Sequence, residues 1–459
     1  MVEMFSRIRK GILLLGIFLF LFFVFVHPIP SLSTEAQNNI GLFFLTASLW
    51  TTNYLPLPVT GLLIFVLLPV LKSLSPTDSF RLLGNRAVFF ILGAFILSTG
   101  LLRTGLARRI ALNLLKIFRD DYLKTLRGVF LIAFILSLFM PEHATAAILL
   151  PVVLEVSHLL NIKRGSREGK LLFLSLAWGA VIGGIGTMLG GARAPLALGM
   201  LYETFSIKIS FIRWSVFALP VAVAVGGIAL LLQSIFMKGA GEKITADKLK
   251  EQKLPPLKRD EKYVAVIYLI TLSLWVFLNK YIPLSLSALI GAILLFATRT
   301  IKWKDAQDYV NWGVIIMYGG AIALGTSLVK SGAATWFASS IISFTGNKPF
   351  LILALLSVFT ILLTEFMSNT AAVALMLPIG FGISQSFGLD PVAVTFAITI
   401  PGGLAFMLPV GTPPNAIAYS AGYHSIKDSA KYGVLLNISS WFILLLFIKF
   451  LWPLLGVKI

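Results

Sequence analysis

Three consecutive polar residues, Ser368, Asn369 and Thr370, interrupt a long apolar stretch of the chain. Ser, Thr and Asn are favoured helix N-caps, and a helix N-terminus presents free N–H groups and positive partial charge. An anion can bind there without a full counter-charge from a side chain. The same side-chain oxygens, with the carbonyls of a turn, can ligate a hard cation such as Na⁺. The cluster therefore indicates either an ion site or the ordinary capping of a helical hairpin.

A second interruption is the run Pro-Val-Gly-Thr-Pro-Pro-Asn at 409–415. Proline lacks an N–H donor and glycine permits close approach of the backbone, so a helix cannot continue through this run. The carbonyls left unpaired there suit Na⁺, and Thr412 and Asn415 supply side-chain contacts. A plain helix kink is the alternative, but a kink explains one proline better than it explains this cluster.

The composition indicates where these breaks must lie. The chain has 459 residues, of which 58% are hydrophobic and 12% charged. Soluble domains carry about 25% charged residues, so this composition indicates a polytopic membrane protein. The net charge of +19 comes from basic residues in short segments between apolar runs, as expected for cytoplasmic loops.

The residue types also exclude several classes of enzyme. The chain has no cysteine, which excludes disulfides, thiolate metal sites and cysteine nucleophiles. Its four histidines leave little material for a zinc centre, and no HExxH motif is present. A membrane-embedded hydrolase using Glu142 and His143 would need a nucleophile, but the sequence has no glycine-flanked serine. We therefore expect a protein that is not an enzyme.

Charge asymmetry predicts the orientation. Residues 1–39 hold a first span preceded by Arg7, Arg9 and Lys10, which places the N-terminus in the cytoplasm. A cleaved signal peptide is the alternative, but prolines follow this span where a small-residue cleavage site would be needed. Residues 238–262, with eight basic residues, form a cytoplasmic linker. We expect a multi-pass protein of a prokaryotic plasma membrane.

Two further basic segments bear on this topology. Residues 103–127 carry seven basic residues and predict an amphipathic helix at the cytoplasmic interface. Arg81 and Arg86 would instead lie outside, and the sequence gives no reason for their position.

The chain contains an internal repeat. The segment Ala-Thr-Ala-Ala-Ile-Leu-Leu-Pro at 144–151 resembles Ala-Ala-Val-Ala-Leu-Met-Leu-Pro at 371–378, 227 positions later (378 − 151). A second pair of matching segments follows in the same order. In each half a Gly-Gly pair precedes a break that contains glycine and proline, at 183–195 and 402–415. Interrupted apolar segments at corresponding places in two halves are typical of secondary transporters with a site at the bilayer midplane.

The repeat predicts an all-α membrane protein with two re-entrant hairpins and two broken helices. Its parts are the N-terminal span at 1–39, a first repeat at 40–237, the linker at 238–262 and a second repeat at 263–459. The hairpins are expected near 129–160 and 351–387, and the broken helices at 171–200 and 392–424.

Two motifs make the resemblance to a family specific. Ser368-Asn369-Thr370 with Thr364 ahead of it, and Ala-Phe-Met-Leu-Pro-Val-Gly-Thr-Pro-Pro-Asn-Ala at 405–416, resemble the divalent-anion/sodium symporter family. Its members move di- and tricarboxylates, or sulfate, usually with Na⁺. The resemblance implies an inverted-repeat, elevator-type transporter that forms a homodimer, with a scaffold and a mobile transport domain in each protomer.

The resemblance also implies roles for individual residues. The substrate carboxylate would face Asn369, Thr370, Thr412 and Pro413. One Na⁺ would lie among Thr364, Met367 (through its carbonyl), Asn369 and Gly411.

The N-terminal half departs from the family pattern. The family expects a second Ser-Asn-Thr, but this chain has Pro-Glu-His at 141–143, and it has Ala-Arg-Ala at 192–194 in place of a Pro-Pro-Asn tail. Ser137 and Gly190 match the family's first cation site, whereas Glu142 and Arg193 alter it. We therefore add His143, Gly191 and Arg193 to the predicted substrate-binding residues.

Ionisable groups at membrane depth cost about 2.5 kcal/mol or more each and are functional by default. Three interpretations stay open here. The Arg193 guanidinium replaces the first Na⁺ with Glu142 as its partner; or Glu142 or His143 binds a proton, since histidine has a pKa near 6.5; or an internal salt bridge only fixes the hairpin. The first two require Arg193 and Glu142 to be close.

We therefore predict a secondary active transporter of small divalent anions, coupled to Na⁺ at one site or to H⁺. The alternatives are a Na⁺/H⁺ antiporter of related fold that uses Glu142, and an anion exchanger in which Arg193 replaces one Na⁺. Lipid and a small anion are its expected partners, and no nucleic acid is expected.

Overall fold

The structure, a computed structural model, describes residues 2–115, 117–118, 121–237, 255–346 and 348–458. In these ranges the chain forms helices and no strand. Most of the predicted linker, residues 238–254, lies outside the described residues, as do Lys116 and Arg119 of the basic segment at 103–127.

Ten helices follow the first one, α1 (Val2–Phe25), and precede the linker. They are α2 (Thr34–Thr52), α3 (Leu57–Val70), α4 (Pro76–Arg81), α5 (Arg86–Thr104), α6 (Leu106–Leu115), α7 (Tyr122–Ser137), α8 (Glu142–Leu159), α9 (Arg167–Gly186), α10 (Arg193–Phe205) and α11 (Phe211–Met237).

Ten more follow the linker. They are α12 (Arg259–Phe277), α13 (Leu284–Ala297), α14 (Trp303–Tyr309), α15 (Trp312–Lys330), α16 (Ala333–Thr345), α17 (Pro349–Phe366), α18 (Asn369–Phe387), α19 (Pro391–Thr399), α20 (Pro413–Ser420) and α21 (Ile426–Leu446). A π-helical turn (Phe447–Leu451) and α22 (Trp452–Leu454) come after them, and 3₁₀ turns lie at Leu82–Gly84 and Pro401–Gly403.

The two sets of ten correspond in order, which gives the fold its inverted repeat. Five helices of the second set begin 227 residues after their counterparts, the pairs of first residues being 57 and 284, 76 and 303, 106 and 333, 122 and 349, and 142 and 369. Contacts between the sets follow the same correspondence, since α3 packs on α15 and its counterpart α13 packs on α5, the counterpart of α15.

Eight helices are long and apolar enough to cross a membrane by length and composition, within the described residues. They cover Arg7–Phe25, Pro76–Thr104, Arg167–Gly186, Phe211–Met237, Trp312–Lys330, Pro349–Phe366, Asn369–Phe387 and Ile426–Leu454. The protein is therefore an integral, multi-pass membrane protein.

The helices pack as two bundles. Helices α2–α5 and α12–α15 form the flanking bundle, in which α5 packs on α13 and α3 on α15. Helices α7–α11 and α17–α21 form the hairpin bundle, in which α7 packs on α9 and α8 on α20. Glycines permit the close approach of α9 to α7, because a Cβ at Gly179 or Gly183 would overlap the carbonyl of Phe130 or Phe134.

Ion pairs and hydrogen bonds identify the face of the molecule at which α11 ends and α12 begins, here called the linker face. Arg109, near the start of α6, binds Glu261 of α12 (Nε–Oε1 2.8 Å). Arg127, near the start of α7, donates to Ser234 at the end of α11 (2.8 Å). The hairpin α7–α8 therefore enters from the linker face, and α17–α18 enters from the opposite face.

Local sequence explains both hairpin tips. Pro141 is the N-cap of α8, and its fixed backbone angle ends the preceding turn and starts the helix. Ser368 is the N-cap of α18, and its hydroxyl accepts a hydrogen bond from the N–H of Ala371 (3.2 Å). Both reversals lie inside the molecule rather than at its surface, which membrane-depth backbone requires.

Candidate anion and cation site

The two hairpin tips touch at the centre of the hairpin bundle. The amide of Asn369, at the start of α18, donates to the carboxylate of Glu142, at the start of α8 (Nδ2–Oε1 3.0 Å). Both side chains are buried. Their positions differ by 227 residues, so equivalent residues of the two repeats meet across the pseudo-twofold axis.

Arg193 completes this contact from α10. Its guanidinium donates to the second carboxylate oxygen of Glu142 (Nη1–Oε2 3.0 Å), and its side chain is 2% exposed. It lies against Gly403 and Gly191, since a Cβ at either glycine would overlap the guanidinium. Nη2 has no hydrogen-bond partner among the described residues. That N–H group is the donor with which Arg193 can bind an anion.

The C-terminal half brings together the residues predicted for a cation. Thr364 Oγ1 lies 2.7 Å from Asn369 Oδ1 and 2.9 Å from the carbonyl oxygen of Gly402. A Cβ at Gly411 would lie 2.9 Å from the Thr364 carbonyl, so the two backbones are in contact. Met367, the C-cap of α17, is buried and extended between them. Hydroxyl, amide and carbonyl oxygens are therefore concentrated here, as the chemistry of a Na⁺ site requires.

The N-terminal half repeats the same arrangement with different side chains. The Glu142 N–H donates to the Gly190 carbonyl (2.9 Å), and a Cβ at Gly190 would overlap the Ser137 carbonyl. Ser137 is the counterpart of Thr364, and its hydroxyl has no partner among the described residues. The cluster thus matches the second half in backbone, but it contains a carboxylate and a guanidinium in place of neutral groups.

The remaining predicted residues lie around this cluster without hydrogen-bonding to it in the described part of the chain. Thr412 caps α20 by accepting from the Asn415 N–H (3.4 Å), and Pro413 is exposed beside it. Thr370 is buried on α18. The ring of His143 faces the flanking bundle, where it packs edge-on against Phe95 of α5 (centroids 6.2 Å apart).

Two neighbours of this cluster could not be found from the sequence. Tyr318, on α15 of the flanking bundle, interacts electrostatically with Arg193, and its buried hydroxyl has no partner among the described residues. Asn437, on α21, donates to Glu365 (2.7 Å). Glu365 also accepts from the N–H groups of Phe406, Met407 and Leu408, so it fixes the backbone of the second break.

The electrostatics of the cluster favour an anion. Helices α8, α10, α18 and α20 all begin in this region, and each N-terminus contributes positive partial charge. Glu142 and Arg193 cancel each other's formal charge, which leaves the helix ends and the free Nη2 N–H uncompensated. An anion at this cluster would meet those partial charges in surroundings of low dielectric constant, where their attraction is strong.

Comparison with known proteins decides the family. The model of the family described as "Sodium:sulfate symporter transmembrane region" matches residues 8–458. The chain belongs to this family. As a member of the sodium:sulfate symporter family it is a transporter and not an enzyme, and the predicted resemblance is confirmed.

Relatives agree with this assignment, and a solved structure is similar in fold. The chain is 31% identical over 482 residues to the "Sodium-dependent dicarboxylate transporter SdcS" of Staphylococcus aureus (strain bovine RF122 / ET3-1), covering 97% of this chain and 92% of that protein. It is 29% identical over 485 residues to SdcS of Staphylococcus saprophyticus, with the same coverage. It is similar in fold to the YdaH transporter of Alcanivorax borkumensis, with a TM-score of 0.55, 14% identity and coverage of 80% of this chain and 86% of that one.

Proposed function

We propose that this family member takes up small dicarboxylates with Na⁺, and that Arg193 stands in for one of the cations. Secondary active transport of an anion follows from membership of the family. The names of the relatives at about 30% identity support dicarboxylate as the substrate and sodium as the co-ion. The observation that carries the finer proposal is the buried contact of Asn369, Glu142 and Arg193 between the two hairpin tips.

The anion would bind where the half-helix N-termini converge. Arg193 offers its free Nη2, and Tyr318 offers a buried hydroxyl. The Asn369 amide already donates a hydrogen bond to Glu142. When the substrate binds, this amide would either rotate toward the substrate or keep Glu142 in place beside it. The remaining residues of the proposed anion site are Thr370, Thr412, Pro413, His143 and Gly191.

A single Na⁺ would bind in the second half. Thr364 contacts both Asn369 and Gly411 there, and the Met367 carbonyl is the proposed fourth ligand. Unwound backbone at the middle of a broken helix is the usual source of Na⁺ ligands in transporters of inverted-repeat architecture.

In the first half, the Arg193 guanidinium would supply the positive charge that Na⁺ supplies in the second. Arginine stays protonated at every physiological pH, so this charge cannot dissociate. Glu142 forms an ion pair with Arg193 at 3.0 Å, so the transporter without substrate does not contain an uncompensated buried cation. Fewer Na⁺ ions would then accompany each anion than if both halves bound Na⁺.

The alternative of a Na⁺/H⁺ antiporter needs Glu142 to exchange a proton in each cycle. Burial of Glu142 favours the protonated carboxyl, but the ion pair with Arg193 and the hydrogen bond from Asn369 favour the ionised form, and protonation would leave the Arg193 guanidinium as an uncompensated buried charge. We therefore place coupling on Na⁺ and give Glu142 a positioning role.

Reconstitution tests the proposal. Uptake of labelled succinate and of labelled sulfate into proteoliposomes is measured under an inward Na⁺ gradient and, separately, under a pH gradient. We expect succinate uptake that depends on the Na⁺ gradient and not on the pH gradient. No anion uptake under either gradient would refute the function, and uptake driven by pH alone would restore proton coupling.

The role of Arg193 needs its own variant. Glu142→Asn with Arg193→Pro restores the family's neutral pattern, and proline is tolerated at the first residue of a helix. We expect this double variant to transport one additional Na⁺ per succinate, measured from the reversal potential of the flux. An unchanged stoichiometry would show that Arg193 does not replace a cation.

Orientation and assembly complete the proposal. We place the linker face in the cytoplasm, because the basic linker and α6 lie there. We also propose a homodimer, as in the elevator mechanism that the family resemblance implies. Cross-linking of the purified protein in vesicles would test it, since a protein that stays monomeric contradicts the dimer.

A further inference from the structure

A cavity of about 430 Å³ opens between the two bundles on the face opposite the linker. Its walls come from the start of α5, from α10 and the connection to α11, and from the α12–α13 connection. Small-molecule sites commonly have volumes of roughly 300–1,000 Å³, so the cavity is large enough for a four-carbon dicarboxylate.

Three cationic side chains line this cavity, and they come from three separate segments. They are Arg86 of α5, Lys208 between α10 and α11, and Lys280 between α12 and α13. Arg86 and Lys208 both lie over the ring of Tyr202, at 5.2 and 5.7 Å from its centroid. Among the described residues none of the three is within ion-pair distance of a carboxylate.

The nearest acidic residue in sequence is already engaged. Glu203, next to Tyr202, accepts a hydrogen bond from the Asn85 amide (2.8 Å). Asn85 also caps α5 through its side-chain oxygen. This hydrogen bond leaves the charge of Glu203 in place, but Glu203 does not line the cavity, and three cationic side chains outnumber this one carboxylate.

The cavity lies beside the first helix break of the candidate site. Met188 and Pro195 line it, and these residues flank the helix break that holds Gly190 and Arg193. An anion that leaves the cavity inward therefore meets the segment that presents the Arg193 guanidinium.

The same residues contradict the charge rule for membrane topology. Arg86, Lys208 and Lys280 lie on the face opposite the basic linker, where Lys and Arg are normally depleted. Their convergence on one cavity supplies a functional reason for that exception.

We propose that this cavity is an outer capture site for small dianions, which concentrates the substrate before it enters the central anion site. The proposal rests on the proposed anion transport. A cleft lined by charge of one sign focuses the electric field and raises association rates by about 10- to 1,000-fold, in a manner that falls with ionic strength. The cavity is exposed, so salt screens its field beyond about 8 Å at physiological ionic strength.

Kinetics of uptake test the capture step. The variant carries Arg86→Gln, Lys208→Gln and Lys280→Gln together, and succinate uptake is measured in right-side-out membrane vesicles at constant Na⁺. We expect KM for external succinate to rise about ten-fold at low ionic strength with the maximal rate nearly unchanged, and the difference to shrink as choline chloride is added. The matched control is Arg81→Gln, because Arg81 is exposed on the same face but does not line the cavity.

Thiol labelling tests binding without transport. The chain has no cysteine, so Ile207→Cys introduces a unique thiol in the cavity wall, and Thr77→Cys on α4 is the control outside it. A membrane-impermeant sulfonate-bearing methanethiosulfonate should label position 207 about ten-fold faster than a trimethylammonium-bearing one, because the local potential attracts anions. Succinate should slow this labelling, and the triple substitution should remove the preference.

The outcomes separate the two proposals. Unchanged KM in the triple variant, with succinate uptake intact, overturns the capture site and leaves the transport function standing. If the chain takes up no anion at all, the transport function fails, and succinate protection of position 207 still decides whether the cavity binds dianions.

Labelling is repeated in phosphatidylcholine vesicles with and without phosphatidylglycerol. Protection that follows the anionic lipid and not succinate would assign the cavity to a lipid headgroup and overturn the proposal.

Discussion

Glu142 and Arg193 hold opposite charges at a place where the solvent cannot screen them, and each depends on the other. Their side chains are 7% and 2% exposed, and the carboxylate is further bound by the Asn369 amide. A buried pair of this kind is often no more stable than a well-packed apolar pair, but breaking it leaves one uncompensated charge. The pair is therefore better explained by what its charges do to an anion than by stability.

The first prediction follows from this dependence. Arg193→Met and Glu142→Gln should each lower the free energy of unfolding by about 3–5 kcal/mol, because each leaves a lone buried charge. The double variant should recover most of that loss. Thermal unfolding of the purified proteins in detergent measures all three, and equal losses in the single and double variants would show that the charges do not compensate each other.

A second prediction at this scale concerns Gly403. Any side chain there would overlap the guanidinium of Arg193, so Gly403→Ala must displace it from Glu142. We expect succinate uptake to fall about ten-fold or more, which corresponds to roughly 1.4 kcal/mol in transition-state or binding free energy. Gly227→Ala is the control, because a Cβ at Gly227 meets no atom within 4 Å. Normal uptake by Gly403→Ala would show that the position of the guanidinium is unimportant.

At the scale of elements, two inverted hairpins carry equivalent sites with different chemistry. Thr364 and Ser137 occupy corresponding positions, and each has its carbonyl beside the glycine of the nearby break, Gly411 or Gly190. Only the first-half site contains a carboxylate and a guanidinium. The proposal therefore places Na⁺ in one half alone.

The third prediction compares these two positions directly. Thr364→Val keeps the shape of the side chain but removes its hydroxyl, so the Na⁺ concentration for half-maximal uptake should rise about ten-fold, since a lost hydrogen bond to a charged group is worth about 1.5–3 kcal/mol. Ser137→Ala should leave that concentration nearly unchanged. Uptake of succinate as a function of Na⁺ measures both. An equal increase for Ser137→Ala would indicate that the first half also binds Na⁺.

The sequence predicts the hairpins and breaks well because polar or proline-rich residues inside apolar runs have few explanations. The 227-residue spacing, read from eight residues in each half, recurs in the first residues of five helix pairs. The sequence likewise predicts the contact of Arg193 with Glu142, because an unpaired charge at membrane depth is energetically costly.

Partners that are distant in the sequence could not be predicted. Tyr318 and Asn437 lie in ordinary apolar helices, and their roles come from packing α15 and α21 against the two breaks. The same holds for Arg86, since the fold alone brings it into one cavity with Lys208 and Lys280. Periodicity and local motifs do not contain this information, because it arises from the fold as a whole.

The flanking and hairpin bundles approach each other closely at a pair of small residues. A Cβ at Gly199 of α10 would lie 2.7 Å from that of Ala87 of α5, so the two bundles are in close contact there. In the elevator mechanism that we propose, the hairpin bundle carries the site past the flanking bundle. Helices α5 and α10 must then slide against each other, whereas α12 and α13, both in the flanking bundle, must not.

The last prediction tests this sliding with paired cysteines in a chain that has none of its own. Ala87→Cys with Gly199→Cys links the bundles, and Thr271→Cys with Gly291→Cys links α12 to α13, where a Cβ at Gly291 would lie 3.4 Å from that of Thr271. Disulfides need Cβ atoms about 3.5–4.5 Å apart, so both pairs can close after a small relaxation. Oxidation should arrest uptake in the first variant, reversibly with a reductant, and leave it intact in the second. Continued uptake by a fully cross-linked Ala87–Gly199 pair would mean that the two bundles move together, and the anion would then have to reach the other side through a gate within a rigid body.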